Sequence, residues 1–245
     1  MTRSMRSPAA RHFLAFALTL ASALFLVGCG IPAPASEPTA PTPEQTVEAQ
    51  PPASYEALIH HYAPVIRQGT ASDQDYITAV DFDGDWISNN NWENQPGGDL
   101  SAHVYYSVIE TETHWFLFYS LFHPRDYTGD PCEKSGGCHE NDMESIQLIV
   151  RKDGTHYGQL QAVETLAHQE IYLHAADDSV KENALEIGSD LRWEDGRPLV
   201  FVETYGHGIY AKRIILVPHT VDYRPGDEAQ VPEDLKDKDV AYSLV

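Results

Sequence analysis

Two β-rich runs joined by a short turn constrain this chain more than anything else in its 245 residues. His103–Glu110 is rich in Val, Ile and Tyr. Thr111-Glu112 follows, and then His114–Phe122, in which nearly every residue is aromatic or aliphatic. β-branched and aromatic residues suit a pleated, half-buried surface, so the pair predicts a hairpin leading into a buried central strand. Ser145–Arg151 predicts a further strand, turned at Lys152-Asp153-Gly154, and the alternating stretch Tyr157–Thr165 is expected to pair with it. Pro198–Glu203 and Arg213–Val217 complete the set. Tyr55–Tyr62 reads as a short helix ended by Pro64, whose ring and missing N–H cannot continue one. There is no long amphipathic repeat for a bundle and no alternation of strands with helices. The expectation is a mainly β, single-domain β-sandwich with short peripheral helices.

The N-terminus has a different composition. Arg3, Arg6 and Arg11 precede an apolar run from Phe13 to Val27, which ends at Leu26-Val27-Gly28-Cys29. A basic start, an apolar stretch and a small residue before a cut are the layout of a secretory signal. The run is shorter than the roughly 20 residues that a spanning helix needs. The pattern resembles the lipobox of bacterial lipoproteins, which implies cleavage before Cys29, lipidation of that cysteine and an extracytoplasmic, membrane-anchored protein. Gly30 rather than Asp after the cysteine resembles outer-membrane sorting in a Gram-negative cell. Residues 1–28 are thus expected to be a signal peptide. Residues 29–53 carry the lipidated Cys29 and a stretch rich in Pro, Ala, Glu and Thr that reads as a disordered tether. Residues 54–225 form the domain, and 226–245 an acidic tail.

Charge narrows the partners. The leader holds three basic residues and no acid, so the mature chain keeps 13 of the 16 basic residues and all 37 acids, a net charge of −24. Such a surface repels nucleic acid and anionic headgroups, while clustered acids suit divalent cations. The membrane is then reached through the N-terminal lipid. Beyond Cys29, the cysteines are Cys132 and Cys138 in a short Gly-containing loop. An oxidising compartment favours a disulfide over a metal–thiolate pair or two free thiols.

The chemistry-bearing residues crowd around that loop. Phe122-His-Pro-Arg-Asp126 comes before it, and Cys138-His-Glu-Asn-Asp-Met-Glu144 leads from it into the next strand. Side chains two apart on an extended segment face the same way, so Asp142 and Glu144 point together. His139 reaches the same spot from the loop, and Asp126 supplies a carboxylate from the neighbouring strand. Three carboxylates and one imidazole suit Mg²⁺, Ca²⁺ or Mn²⁺ better than Zn²⁺. His168 and His207, the latter between Gly206 and Gly208, are candidates for the same pocket as outer ligands or acid–base groups. Asp81, Asp83 and Asp85 have the alternate spacing of a calcium-loop start but lack the Gly and Glu positions of an EF-hand. No G-x-S-x-G, H-E-x-x-H or phosphate-binding glycine loop is present, which removes the support for serine catalysis.

At Tyr119–Asp126 and Cys138–Glu144 the chain resembles the necrosis- and ethylene-inducing-peptide-like family of secreted cytolysins, whose signature is a G-H-R-H-D-W-E heptapeptide preceded by a strand ending in a Y-S-W-Y-F-P-K-D-like run. The resemblance implies a β-sandwich and a Mg²⁺ or Ca²⁺ ion held at Asp126, His139, Asp142 and Glu144. The chain carries Cys138, Asn141 and Met143 where that signature has Gly, His and Trp. More loosely, Tyr62-Ala-Pro-Val-Ile66 and Val202–Tyr210 resemble a vacuolar-protein-sorting-associated family with a Y-A-P-V start and a late G-S-H-A-Y element. The functional expectation is a lipid-anchored module binding one divalent cation and a glycan or lipid headgroup. The alternatives are a metal-dependent envelope hydrolase and a structural lipoprotein without a ligand.

Overall fold

A computed structural model of the chain describes residues 50–128, 137–177, 191–212 and 219–245. The signal peptide, Cys29, the tether up to residue 49, Cys132 and the predicted strand Arg213–Val217 lie outside the described residues. All described residues belong to one unit, Val47–Val245. Among them, no helix is long and apolar enough to cross a membrane.

The predicted helix is α1, Tyr55–Tyr62. Ser54 caps it by accepting from the Ala57 N–H, and Leu58, Ile59 and Tyr62 form its buried face. β1 (Val65–Thr70) follows. The predicted hairpin is β2 (His103–Glu110) and β3 (His114–Asp126), closed where Thr111 and His114 exchange hydrogen bonds. A four-residue helix, α2 (Asn91–Asn94), precedes it. β4 (His139–Arg151) pairs antiparallel with β3. β5 (Gln159–Ala167) pairs with β4 as expected, and β6 (Glu170–Ala175) pairs with β5. The remaining strands are β7 (Arg192–Glu194), β8 (Arg197–Val202), β9 (Ile209–Tyr210), β10 (His219–Pro225) and β11 (Val240–Leu244).

The mainly β expectation is met, but the two-sheet sandwich is replaced. Hydrogen bonds join the strands into one mixed sheet in the order β6-β5-β4-β3-β2-β11-β10-β1-β8-β7, with β9 paired to β8. The reason is β11. It lies parallel to β2 on one side and to β10 on the other, so it joins what would otherwise be two sheets. The acidic tail expected over 226–245 therefore supplies an interior strand. One core cluster takes Leu117, Tyr119 and Leu121 from β3, Ile146 and Leu148 from β4, Val200 and Val202 from β8, and Val221 and Tyr223 from β10. Side chains from both wings meet in it, so the sheet is curled upon itself. Each large side chain so buried stabilises the fold by roughly 1.5–3 kcal/mol. Two core tyrosines satisfy their hydroxyls on backbone carbonyls, Tyr119 on Ile59 and Tyr242 on Pro64, both at 2.8 Å.

Candidate metal centre

β3 and β4 run further than the sequence suggests. They continue in register to Asp126 opposite His139, with His123 opposite Asp142 and Leu121 opposite Glu144. His139, expected in the loop, thus sits on a paired strand with the others. On β4 the inward face that buries Ile146, Leu148 and Val150 carries Asp142 and Glu144 at its open end, as the two-residue period requires. Both are about 95% buried, at 5% and 4% exposure.

Asp126, His139, Asp142 and Glu144 all line one open cleft of about 450 Å³, and His168 lines it too. His139 Nε2 stands 3.8 Å from Asp126 Oδ2. Glu144 Oε1 accepts from the His168 backbone N–H at 2.9 Å, while Glu144 Oε2 is buried with no hydrogen-bond partner among the described residues. Burial pushes the Glu144 carboxyl up to about 7, against the His168 hydrogen bond and with help from the Asp142 charge. Burial and the same Asp142 charge raise Asp126. Desolvated, mutually repelling carboxylates with an orphaned oxygen are what a bound cation would relieve.

Behind the cleft lies a cluster that reaches Asp142 from the other wing of the sheet. The fully buried His207 donates from Nδ1 to Asp142 Oδ2 at 2.8 Å and from Nε2 to Asp75 Oδ1 at 3.2 Å. Asp75, buried in a short 3₁₀ turn after β1, also accepts from the backbone N–H groups of Ala71, Ser72 and Tyr205 and from the Tyr127 hydroxyl. Burial alone would lower the His207 pKa. Hydrogen bonds to Asp142 and Asp75 overcome it and push the imidazole up to about 9. His123 stacks on His207 with ring centroids 3.8 Å apart and planes 7° from parallel. Its Nε2 donates to Gln68 Oε1 at 3.2 Å, and burial followed by the His207 charge holds it well below the usual range. His123, Asp142 and His207 offer ligand atoms all within 4.8 Å of one another, close enough to hold a metal ion. In the arrangement seen, however, both His207 nitrogens already face carboxylates. An ion there would have to displace the 2.8 Å hydrogen bond, so the stacked pair acts as a support for Asp142 rather than as its rival.

Backbone strain gathers at the same place. Among the described residues, the non-glycine residues with positive φ are Asn141 (59°), His168 (58°), Asp195 (52°), Tyr205 (74°) and His207 (53°). All but Asp195, which turns β7 into β8, belong to the cleft or its support. Such conformations cost on the order of 1–3 kcal/mol each and persist where the surroundings over-determine them. Close packing accounts for the glycines flanking His207. A Cβ on Gly206 would lie 2.8 Å from His168 Cε1, and one on Gly208 3.1 Å from Ala167 Cβ. They let the 203–208 loop pass under the β5–β6 turn. There His168 Nε2 meets Glu203 Oε1 at 2.5 Å.

The remaining candidates fall elsewhere. Asp83 and Asp85 use their carboxylates inside their own loop, on the backbone of Asp85 and Ile87 and the amides of Asn94 and Asn90. With Asp81 they form no metal-sized group among the described residues. The segment that follows instead braces Asn141, which lines the cleft: Asn141 donates to Ser88 O and accepts from Asn91. Cys138 is disulfide-bonded, and Cys132, its expected partner, lies outside the described residues. Asp75, Gln68, His123, Tyr127 and Glu203 were not anticipated as parts of the site. Of these, His123 and Glu203 sat within motifs that drew attention, Phe122–Asp126 and Val202–Tyr210.

No family model matches the chain, and no curated protein matches it. The chain is similar in structure to necrosis- and ethylene-inducing proteins. A structure described as a toxin fold for microbial attack and plant defense is 14% identical, over 67% of this chain and 71% of that one, with a TM-score of 0.46. Necrosis and Ethylene inducing Protein 2, from the causal agent of cocoa's Witches Broom disease, is 15% identical, over 80% and 76%, with a TM-score of 0.40. NLPPya in complex with glucosamine is 17% identical, over 68% and 71%, with a TM-score of 0.42. At such identities and TM-scores the likeness assigns no residue a role, and the cleft stands on its own geometry.

Proposed function

We propose that this chain is a lipid-anchored, extracytoplasmic binding module that holds one divalent cation in the β3–β4 cleft and uses it to bind a hydroxyl-rich ligand, a glycan or a lipid headgroup. The observation that carries the reading is the cleft itself: Asp126, His139, Asp142 and Glu144 on its wall, with the buried Glu144 Oε2 left without a partner among the described residues. Asp126, Asp142 and Glu144 would supply hard oxygen ligands and His139 one nitrogen, a donor set suited to Mg²⁺, Ca²⁺ or Mn²⁺. A bound ion would offer its open coordination positions to ligand oxygens. Anchoring rests on the Arg-rich start, the Phe13–Val27 run and Cys29.

The test is metal analysis and melting of the full chain. We expect a bound divalent ion after gentle purification, a melting temperature raised by Ca²⁺, Mg²⁺ or Mn²⁺, and loss of both in Asp142→Asn. Binding to a panel of neutral and amino sugars should then require the metal and disappear with chelator. No metal and no shift would remove the reading.

A second reading, a metal-dependent hydrolase, has one observation in its favour. His168 lines the cleft with Nε2 on the Glu203 carboxylate, an arrangement that can hold or pass a proton. Turnover of phosphoester or glycoside substrates that is lost in His168→Asn would replace the binding module with the enzyme.

A further inference from the structure

We propose that Asp75 is the positioning residue of this cleft: acting through His207, it fixes the carboxylate of Asp142 and thereby sets the cleft's affinity for its cation. This rests on the divalent-cation reading above and adds to it a residue that does not line the cleft.

The geometry is a chain of hydrogen bonds that runs from Asp75 through His207 to the cleft residue Asp142. Asp75 is fully buried and accepts five hydrogen bonds. Oδ2 takes Ala71 N at 2.7 Å, Ser72 N at 3.2 Å and the Tyr127 hydroxyl at 2.7 Å. Oδ1 takes Tyr205 N at 2.8 Å and His207 Nε2 at 3.2 Å. A carboxylate with so many donors has no freedom to turn. It therefore fixes the plane of the His207 ring, which is held on one face by His123 at 3.8 Å. The far nitrogen of that ring then presents its N–H to Asp142 Oδ2 at 2.8 Å, which fixes one oxygen of a carboxylate residue that lines the cleft.

The fold makes this clamp from separate pieces. Asp142 belongs to β4, His207 to the loop after β8, and Asp75 to the turn after β1. His207 holds φ at 53° and Tyr205, whose N–H anchors the loop to Asp75, holds 74°. Two strained residues in one five-donor arrangement, aimed at a single carboxylate of the cleft, point to a site whose ligand must not rotate. Outer partners that orient a metal ligand are worth about 10–100-fold in metal affinity.

The experiment is calorimetric titration of the full chain with Mn²⁺ alone at pH 8, on wild type, Asp126→Asn, Asp75→Asn, His207→Asn and the Asp75→Asn/His207→Asn double variant. Asn tolerates positive φ, so His207→Asn removes the ring with little change of backbone. Near-UV circular dichroism of the metal-free proteins checks the fold. The expected result is tight wild-type binding, its loss in Asp126→Asn, and about 10-fold or greater weakening in each of Asp75→Asn and His207→Asn. The double variant should be no weaker than the weaker single, because Asp75 acts only through His207. A merely structural Asp75 would add its effect to that of His207, and additivity overturns the proposal. Unchanged affinity in a folded Asp75→Asn overturns it as well, with the cleft reading intact. If wild type binds no Mn²⁺, or Asp126→Asn binds as well as wild type, the cleft reading fails and the positioning role goes with it. Should Asp75→Asn not fold, His207→Asn decides: an affinity at least about 10-fold weaker supports the proposal, and anything less overturns it.

Discussion

His207 is a buried cation made by its neighbours. Its folded pKa of about 9 lies above the ordinary value of 6.5, so its contribution to stability is complete below about pH 6.5 and is lost as pH rises through about 9. A shift of that size corresponds to about 3 kcal/mol at its fullest, as an order of magnitude. In the metal-free protein, the melting temperature should therefore fall between pH 7.5 and 9.5, and His207→Asn should flatten that slope. A wild-type curve that is level over this window would mean that the imidazole is neutral. Glu144 acts in the opposite sense for the cation. Its carboxyl, pushed up to about 7, holds a proton that a metal must displace. Mn²⁺ should bind about tenfold more weakly at pH 6 than at pH 8, and its affinity should level off above pH 8. A Kd independent of pH from 6 to 8 would place the ion away from Glu144.

At the scale of elements, the β3–β4 pair carries both core and chemistry, and the two are separable by substitution. Leu148, fully buried on the inward face, should cost about 2–5 kcal/mol when changed to Ala. Met143, 45% exposed on the opposite face, should change stability by no more than about 0.5 kcal/mol. Denaturant melts of the two variants check this, and equal losses would contradict the strand's facing. This pair was also the most legible part of the sequence. Alternation over Ser145–Arg151 and the aromatic run from His114 gave the strands, and the two-residue period put Asp142 and Glu144 on one side. What the local pattern could not show was the continuation of both strands through His123–Asp126 and His139–Glu144, where polar residues break the apolar signal. Strands β10 and β11 were hidden for a related reason. His219–Pro225 contains Asp222, Arg224 and Pro225, and Val240–Leu244 is short and follows an acidic stretch. Each owes its strand conformation to partners distant in sequence. Asp75 was the least legible of all, because its contact with His207 spans 132 residues and only the assembled fold brings them together.

At the scale of the whole molecule, the cleft is lined by one wing of the sheet and supported from behind by the other. The wing from β2 to β6 supplies Asp126, His139, Asp142, Glu144 and His168. The wing from β10 through β1 to β8 leads to Asp75, Glu203 and His207. β11 is the strand that holds the wings in one sheet, with Val240 opposite Tyr223 of β10 and Ser243 opposite His103 of β2. Its Tyr242 is fully buried and donates to Pro64 O. Removing the C-terminal residues 240–245 takes away no proposed metal ligand and no member of the Asp75–His207 clamp. It nevertheless should abolish Mn²⁺ binding, because the cleft and the clamp behind it lose their common frame. Tyr242→Ala is the graded version. Truncating a buried aromatic costs about 3–5 kcal/mol, and saturating metal, which binds only the assembled cleft, should restore about 2.7 kcal/mol at a hundred times Kd. Recovery of the Tyr242→Ala melting temperature on adding Mn²⁺, with none in the Asp142→Asn/Tyr242→Ala double variant, would tie ion binding to the closure of the sheet. A truncated chain that still binds Mn²⁺ with wild-type affinity would mean that the β3–β4 wing suffices alone, and that the clamp from the other wing is irrelevant to the cation.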